Sequence, residues 1–223
     1  MELRQHNFLY LLLGLMFLLL AMPLFRDITG MHQSLFSELA FSVFLIIGVW
    51  SLHGSRRWFL AAILLVALGA GCNLLALYGA GIGFTYLSLS GYFIFMLLTI
   101  SIAASQIFRQ GTADMNNIIG AICVYLLLGV IWSLVYVFVN LLIPGSFSGR
   151  ISGTAFNQLQ DFMYYSFVTL TTLGYGDIVP VKAAARALAT FEAIVGQFYI
   201  AILVAGLVAA YMTRTQQTTN DGS

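Results

Sequence analysis

Thr171-Thr172-Leu173-Gly174-Tyr175-Gly176-Asp177 is the stretch on which the reading of this chain turns. It lies between an amphipathic run over 157–170 and a long apolar segment over 183–212. Glycine on both sides of Tyr175 permits a backbone that alternates in handedness, because glycine enters the left-handed region without a Cβ penalty. Several consecutive carbonyls can then point the same way. The preceding run is too short to cross a bilayer, which takes about 20 mostly apolar residues. It reads as a helix that dips into the membrane and returns. Irregular backbone at that depth is tolerated only where it is buried in protein or lines a water-filled path. The plainer alternative is a tight turn joining two helices.

Composition supplies the membrane. The chain has 223 residues, 61% hydrophobic and 8% charged, with mean hydropathy +0.95. That combination is the signature of a polytopic membrane protein. A net charge of +1 offers no basic surface for nucleic acid. Cys72 and Cys123 fall inside apolar segments and read as small buried hydrophobes. His6, His32 and His53 are scattered and form no ligand cluster. There is no His/Glu metal motif, Ser-His-Asp set or phosphate loop, so no enzyme is expected. Residues 8–21 lack a strong basic flank and a small-residue cleavage site before Pro23, and read as a retained first helix.

Six segments are long and apolar enough to span: 8–25, 36–52, 58–78, 84–105, 118–143 and 183–212. Short turns separate the first four, at 26–30, 53–57 and 79–83. A longer break over 106–117 holds Arg109, Gly111 and Asp114 and reads as an interfacial linker helix. Pro144 stops the fifth segment, and a polar loop over 145–154 precedes the re-entrant run.

Residues Thr171 to Pro180 resemble the selectivity filter of potassium channels, with Leu173 where the commonest version carries valine. The order of four helices, linker, helix, pore loop and helix resembles the six-helix potassium channels of the voltage-gated-like superfamily, small bacterial members above all. The resemblance is motif-level over 157–212 and architectural over the first 117 residues. It implies an all-α membrane protein with six transmembrane helices, a re-entrant pore helix and a selectivity filter, assembled as a four-fold homotetramer among membrane lipids. The implied domains are a four-helix voltage-sensor-like unit without sensor charges (1–105), the linker (106–117), the pore domain (118–212) and a short cytoplasmic tail (213–223), too short to fold alone and expected to be disordered.

The resemblance further implies that K+, the permeant ion, is held by Thr172, Leu173, Gly174 and Tyr175, with Gly176 closing the filter, and that no organic cofactor is needed. Its filter lies toward the external face, so an even helix count puts both termini in the cytoplasm of a cell membrane, by family the bacterial inner membrane. Basic residues alone give a poor bias: Arg4, Arg56, Arg57, Arg109 and Arg214 inside, against Arg26, Arg150, Lys182 and Arg186 outside.

Around the filter, Tyr164 and Tyr165 stand where many such channels carry two tryptophans, and Asp177 is the expected acceptor for Tyr165. The alternative is two packing tyrosines and a solvated Asp177. Val168 stands where some channels place a carboxylate, so no buried acid is available there. Thr171 and Glu192 complete the expected support. A carboxylate inside a membrane helix is costly and marks a site. Glu192 is expected to face the back of the pore helix near Ser166, Thr169 or Thr171, as a protonated or hydrogen-bonded strut, with Thr171 or Thr169 as its partner. The competing reading has it reach an outer crevice or Arg186. Gly196 is a bending point by resemblance and a close-packing position by the plainer reading. Gln197, Ile200, Val204 and Val208 recur on one helical face, which by resemblance lines the cavity and its gate; lipid or a neighbouring helix is the alternative.

A voltage sensor needs basic residues every third position on its fourth helix, yet residues 81–105 contain no Arg or Lys. Glu38 and Asn73, the few polar residues of the four-helix unit, read as interhelical hydrogen bonds. The expected function is therefore a potassium-selective channel without strong voltage gating. The competing function is a non-conducting sensor or modulatory subunit that keeps an ion-binding filter.

Overall fold

The computed structural model describes residues 7–29, 56–77, 81–110, 115–151 and 155–220. Its helices are α1 (Asn7–Thr29), α2 (Arg56–Leu77), α3 (Ile82–Gln110), α4 (Met115–Leu142), α5 (Ala155–Leu170) and α6 (Ala183–Asn220). Two short strands, β1 (Phe147–Ser148) and β2 (Val179–Pro180), pair antiparallel. The expected segment over 36–52, with Glu38, lies outside the described residues.

Among the described residues three helical stretches are long and apolar enough to cross a membrane: Ile82–Ile107, Asn116–Leu142 and Ala183–Gly206. Shorter apolar stretches, Phe8–Leu20 and Ile63–Cys72, lie within α1 and α2. The helices pack in sequence, α2 on α3, α3 on α4, α4 on α5, while α1 lies along α4. Phe8, Leu11, Leu15 and Leu18 fall on one face of α1 and are buried. Phe8 rests on Gly120, where a Cβ would stand 3.1 Å from its ring. Leu9, Leu13 and Leu20 on the opposite face are exposed. Cys123 and Cys72 are buried and free.

Three boundaries differ from the sequence reading. α1 runs through Pro23 to Thr29, past the turn expected at 26–30; proline removes one helical hydrogen bond without ending the helix here. α3 runs to Gln110 and α4 starts at Met115, so 106–110 and 115–117 prolong these two helices where a separate linker helix was expected. α6 is one helix of 38 residues, about 57 Å long at about 1.5 Å per residue. It outruns a hydrocarbon core of about 30 Å and carries residues 213–220 as helix where a disordered tail was expected.

The loop after Pro144 is tied to the chain that leads into α6. Ser146 O accepts the amides of Val181 (2.8 Å) and Lys182 (3.3 Å), and Phe147 and Ser148 pair with Pro180 and Val179. Gly149 completes the clasp with φ 129. A Cβ there would fall 2.3 Å from Asp177 O. Gly149→Ala is therefore expected to push the ribbon off Asp177 and to destabilise the protein by about 1–3 kcal/mol, the usual cost of overpacking. The thermal unfolding midpoint in detergent checks this; a midpoint equal to the wild type's contradicts it.

Candidate functional site: a short helix and the strand that follows it

A helix leaves its last four carbonyls without intrahelical partners. At the end of α5 three of the four are taken by the chain that follows. Phe167 O accepts Thr171 N at 3.0 Å and Thr171 Oγ1 at 2.6 Å. Val168 O accepts Leu173 N (2.9 Å) and Gly174 N (3.2 Å), and Thr169 O accepts Thr172 N (3.0 Å). The fourth, Leu170 O, accepts the Tyr125 hydroxyl of α4 at 3.2 Å. The amides of residues 171–174 thus point back at the helix end. Among the described residues no backbone amide donates to the carbonyls of 172–176.

The backbone alternates as it leaves the helix. Thr172 (φ 60), Gly174 (φ 59) and Gly176 (φ 77) are left-handed, and Leu173 and Tyr175 between them are not. Alternating handedness turns successive carbonyls to one side. The glycines take this conformation freely. Thr172 is the only described non-glycine residue with positive φ, a strain of order 1–3 kcal/mol that its amide bond to Thr169 O helps to hold. Leu173 and Tyr175 are exposed in the isolated chain.

The two adjacent tyrosines part company, because neighbouring residues on a helix point about 100° apart. Tyr164 stacks on Tyr175, with centroids 6.4 Å apart at 7°, and desolvation, together with the Asp177 carboxylate on the side of its hydroxyl, raises its pKa. The sequence reading gave Asp177 to Tyr165. Tyr165 instead turns inward, buried against Tyr136 (5.0 Å) and Phe147 (5.4 Å), with Phe162 completing the aromatic cluster. Val168, behind the strand, is buried.

Glu192 is fully buried. Its carboxylate meets the hydroxyls of Tyr136 on α4 and Ser166 on α5, the latter at 2.5 Å. Ser166 Oγ also lies 2.9 Å from Gly129 O. One carboxyl therefore joins α4, α5 and α6. Of the three neighbours expected from sequence only Ser166 is a partner. Thr169 and Thr171 spend their hydroxyls on the carbonyls of Tyr165 and Phe167, four residues back in α5. Arg186 is engaged elsewhere, its Nε donating to Pro180 O at 3.2 Å.

Gly196 sits in unbroken helix. A Cβ there would stand 2.7 Å from Leu170 O, so this glycine lets α6 lie against the end of α5. Gln197, Ile200 and Val204 are exposed in the isolated chain; the side chain of Val208 lies outside the described residues. Among the described residues no cluster of His, Cys, Asp or Glu could hold a metal ion.

Sequence reasoning missed Tyr136, Tyr125, Tyr199, Gly129 and Gly149. The first three are tyrosines inside apolar helices, and a buried phenol needs a partner; that was the available signal. Gly129 allows the α4–α5 approach, since a Cβ there would stand 2.6 Å from the Phe167 ring. Nothing in its sequence context distinguishes it from other helix glycines.

Two helices long and apolar enough to cross a membrane thus flank a shorter helix and a strand of left-right alternating backbone. Residues 120–213 match the family described as "Ion channel". The chain is similar to "Two pore potassium channel a" of Oryza sativa subsp. japonica, 34% identical over 83 residues, which are 37% of this chain and 24% of that protein. It is also similar to "Two-pore potassium channel 4" of Arabidopsis thaliana, 40% identical over 63 residues, 28% of this chain and 22% of that protein. The matched stretch spans about a quarter of those relatives' own length or less.

Proposed function

We propose that this chain is the subunit of a potassium-selective channel that conducts passively across a cell membrane, bacterial by its family resemblance, with both termini cytoplasmic. The observation that carries the reading is the alternation at Thr172, Gly174 and Gly176, with the preceding amides tied to the helix end. Carbonyls freed in this way can replace the hydration shell of K+. Thr172, Leu173, Gly174, Tyr175 and Gly176 form the filter. Tyr164 and Asp177 brace its outer end; Tyr165, Thr171 and Glu192 brace its back. One strand offers oxygens from one side only, so four copies surround the axis. Six spans per subunit, a cavity lined by Gln197, Ile200, Val204 and Val208, and the similarity to potassium channels fit the same reading. Potassium flux into liposomes holding the purified protein tests it: K+ and Rb+ are expected to pass and Na+ to pass poorly.

Gating is expected to be at most weakly voltage-dependent. The membrane field does about 2.3 kcal/mol of work per elementary charge per 100 mV, and residues 81–105 offer it no cation. The conductance–voltage relation checks this; a slope equivalent to several gating charges contradicts it.

A further inference from the structure

Three of the four terminal carbonyls of α5 are held by the strand that follows it, and only Leu170 O depends on another helix. Its partner, the Tyr125 hydroxyl, is itself set by α6. The Tyr125 ring lies 5.7 Å from that of Tyr199 at 31°. The Tyr199 hydroxyl donates to Ala121 O at 2.6 Å, the same carbonyl that helix geometry assigns to the Tyr125 amide. Tyr199 stands three residues beyond Gly196, and Gly196 is where α6 touches Leu170 O. The Leu170 carbonyl is therefore contacted twice by elements that answer to α6: directly at Gly196, and through α4 by way of Tyr199 and Tyr125.

We infer that Tyr199 and Tyr125 form a positioning relay through which the inner half of α6 sets the Leu170 carbonyl and with it the base of the filter. The inference rests on the filter reading above. The Tyr199 hydroxyl bonds Ala121 O of α4, so its route to the ion site beyond its own helix runs through Tyr125. When the α6 segment carrying Tyr199 shifts, the ring pair shifts, and the Tyr125–Leu170 bond lengthens or realigns. Thr172, whose left-handed backbone begins two residues later, loses part of what holds its conformation.

Hydroxyl-only substitutions test the relay. Tyr125→Phe and Tyr199→Phe keep both rings and their packing. The readout is the K+ concentration that half-saturates thermal stabilisation of the purified protein, with Na+ as the balancing ion and the melting temperature in Na+ alone as the measure of fold. Tyr125→Phe is expected to raise the half-saturating concentration about three- to tenfold, the value of one hydrogen bond of ordinary strength. Tyr199→Phe is expected to raise it in the same direction, and the double variant to be no worse than Tyr125→Phe, because residues of one relay are not additive. If Tyr199→Phe leaves the half-saturating concentration at the wild-type value, or if the two shifts add, the relay is overturned whatever happens to the melting temperature in Na+. A wild type that K+ stabilises no better than Na+ would overturn the filter reading itself, and the relay with it.

Discussion

Glu192→Val is expected to weaken the protein more than any other single change in the helices behind the strand over 172–176. The carboxyl is fully buried and holds the hydroxyls of Tyr136 and Ser166. Valine leaves the Tyr136 hydroxyl without that acceptor, and an unpaired buried polar group costs about 1–3 kcal/mol. Ser166 suffers less, because Gly129 O remains within its reach. Glu192→Gln is expected to be mild. Its carbonyl can accept from Tyr136, and its amide can donate to Ser166, which then donates to Gly129 O. Melting curves of the assembled protein in detergent separate the two variants. Valine is expected to lower the midpoint by several degrees and glutamine to stay near the wild type. A valine variant as stable as the wild type would remove the strut from the account.

Gly196→Ala is expected to damage conduction more than stability. The new Cβ would lie 2.7 Å from Leu170 O and 2.9 Å from Leu170 Cδ1. The first is backbone and cannot swing aside, so either α6 or the end of α5 must move. Overpacking of this kind costs about 1–3 kcal/mol, and each 1.4 kcal/mol is about tenfold in an equilibrium constant. Leu170 immediately precedes the strand of the site, so a tenfold or larger loss of K+ flux is expected. Gly206→Ala is the control: a Cβ there meets nothing within 4 Å, and flux is expected to hold. Equal flux through both variants would show that the α6–α5 contact is slack.

The features legible in the sequence were those whose chemistry is local. Glycine at 174 and 176 announces left-handed backbone without any partner, and Asn116–Leu142 and Ala183–Gly206 announce membrane helices by apolarity and length. What resisted reading depended on which face of a helix meets which neighbour. Tyr164 and Tyr165 have the same chemistry, and one helical step decides that the first reaches Asp177 and the second the aromatic cluster. The need of Glu192 for a partner was readable, but Thr169, Thr171 and Ser166 are equivalent donors on paper. Two of them satisfy themselves within α5, and Tyr136 comes from a helix 56 residues away in sequence. Thr172 was hidden for another reason: its left-handed backbone is imposed by the helix end behind it, against its own preference.

The strand from Thr172 to Gly176 is expected to select K+ by its backbone. Reversal potentials across a bilayer holding the purified protein, with K+ on one side and Na+ on the other, measure it most directly. The account predicts a reversal potential close to that of a membrane permeable to K+ alone, and a collapse toward zero when Gly176 is replaced by alanine, whose Cβ disfavours the positive φ found there. Comparable permeability to Na+ and K+ in the unmodified protein would contradict it.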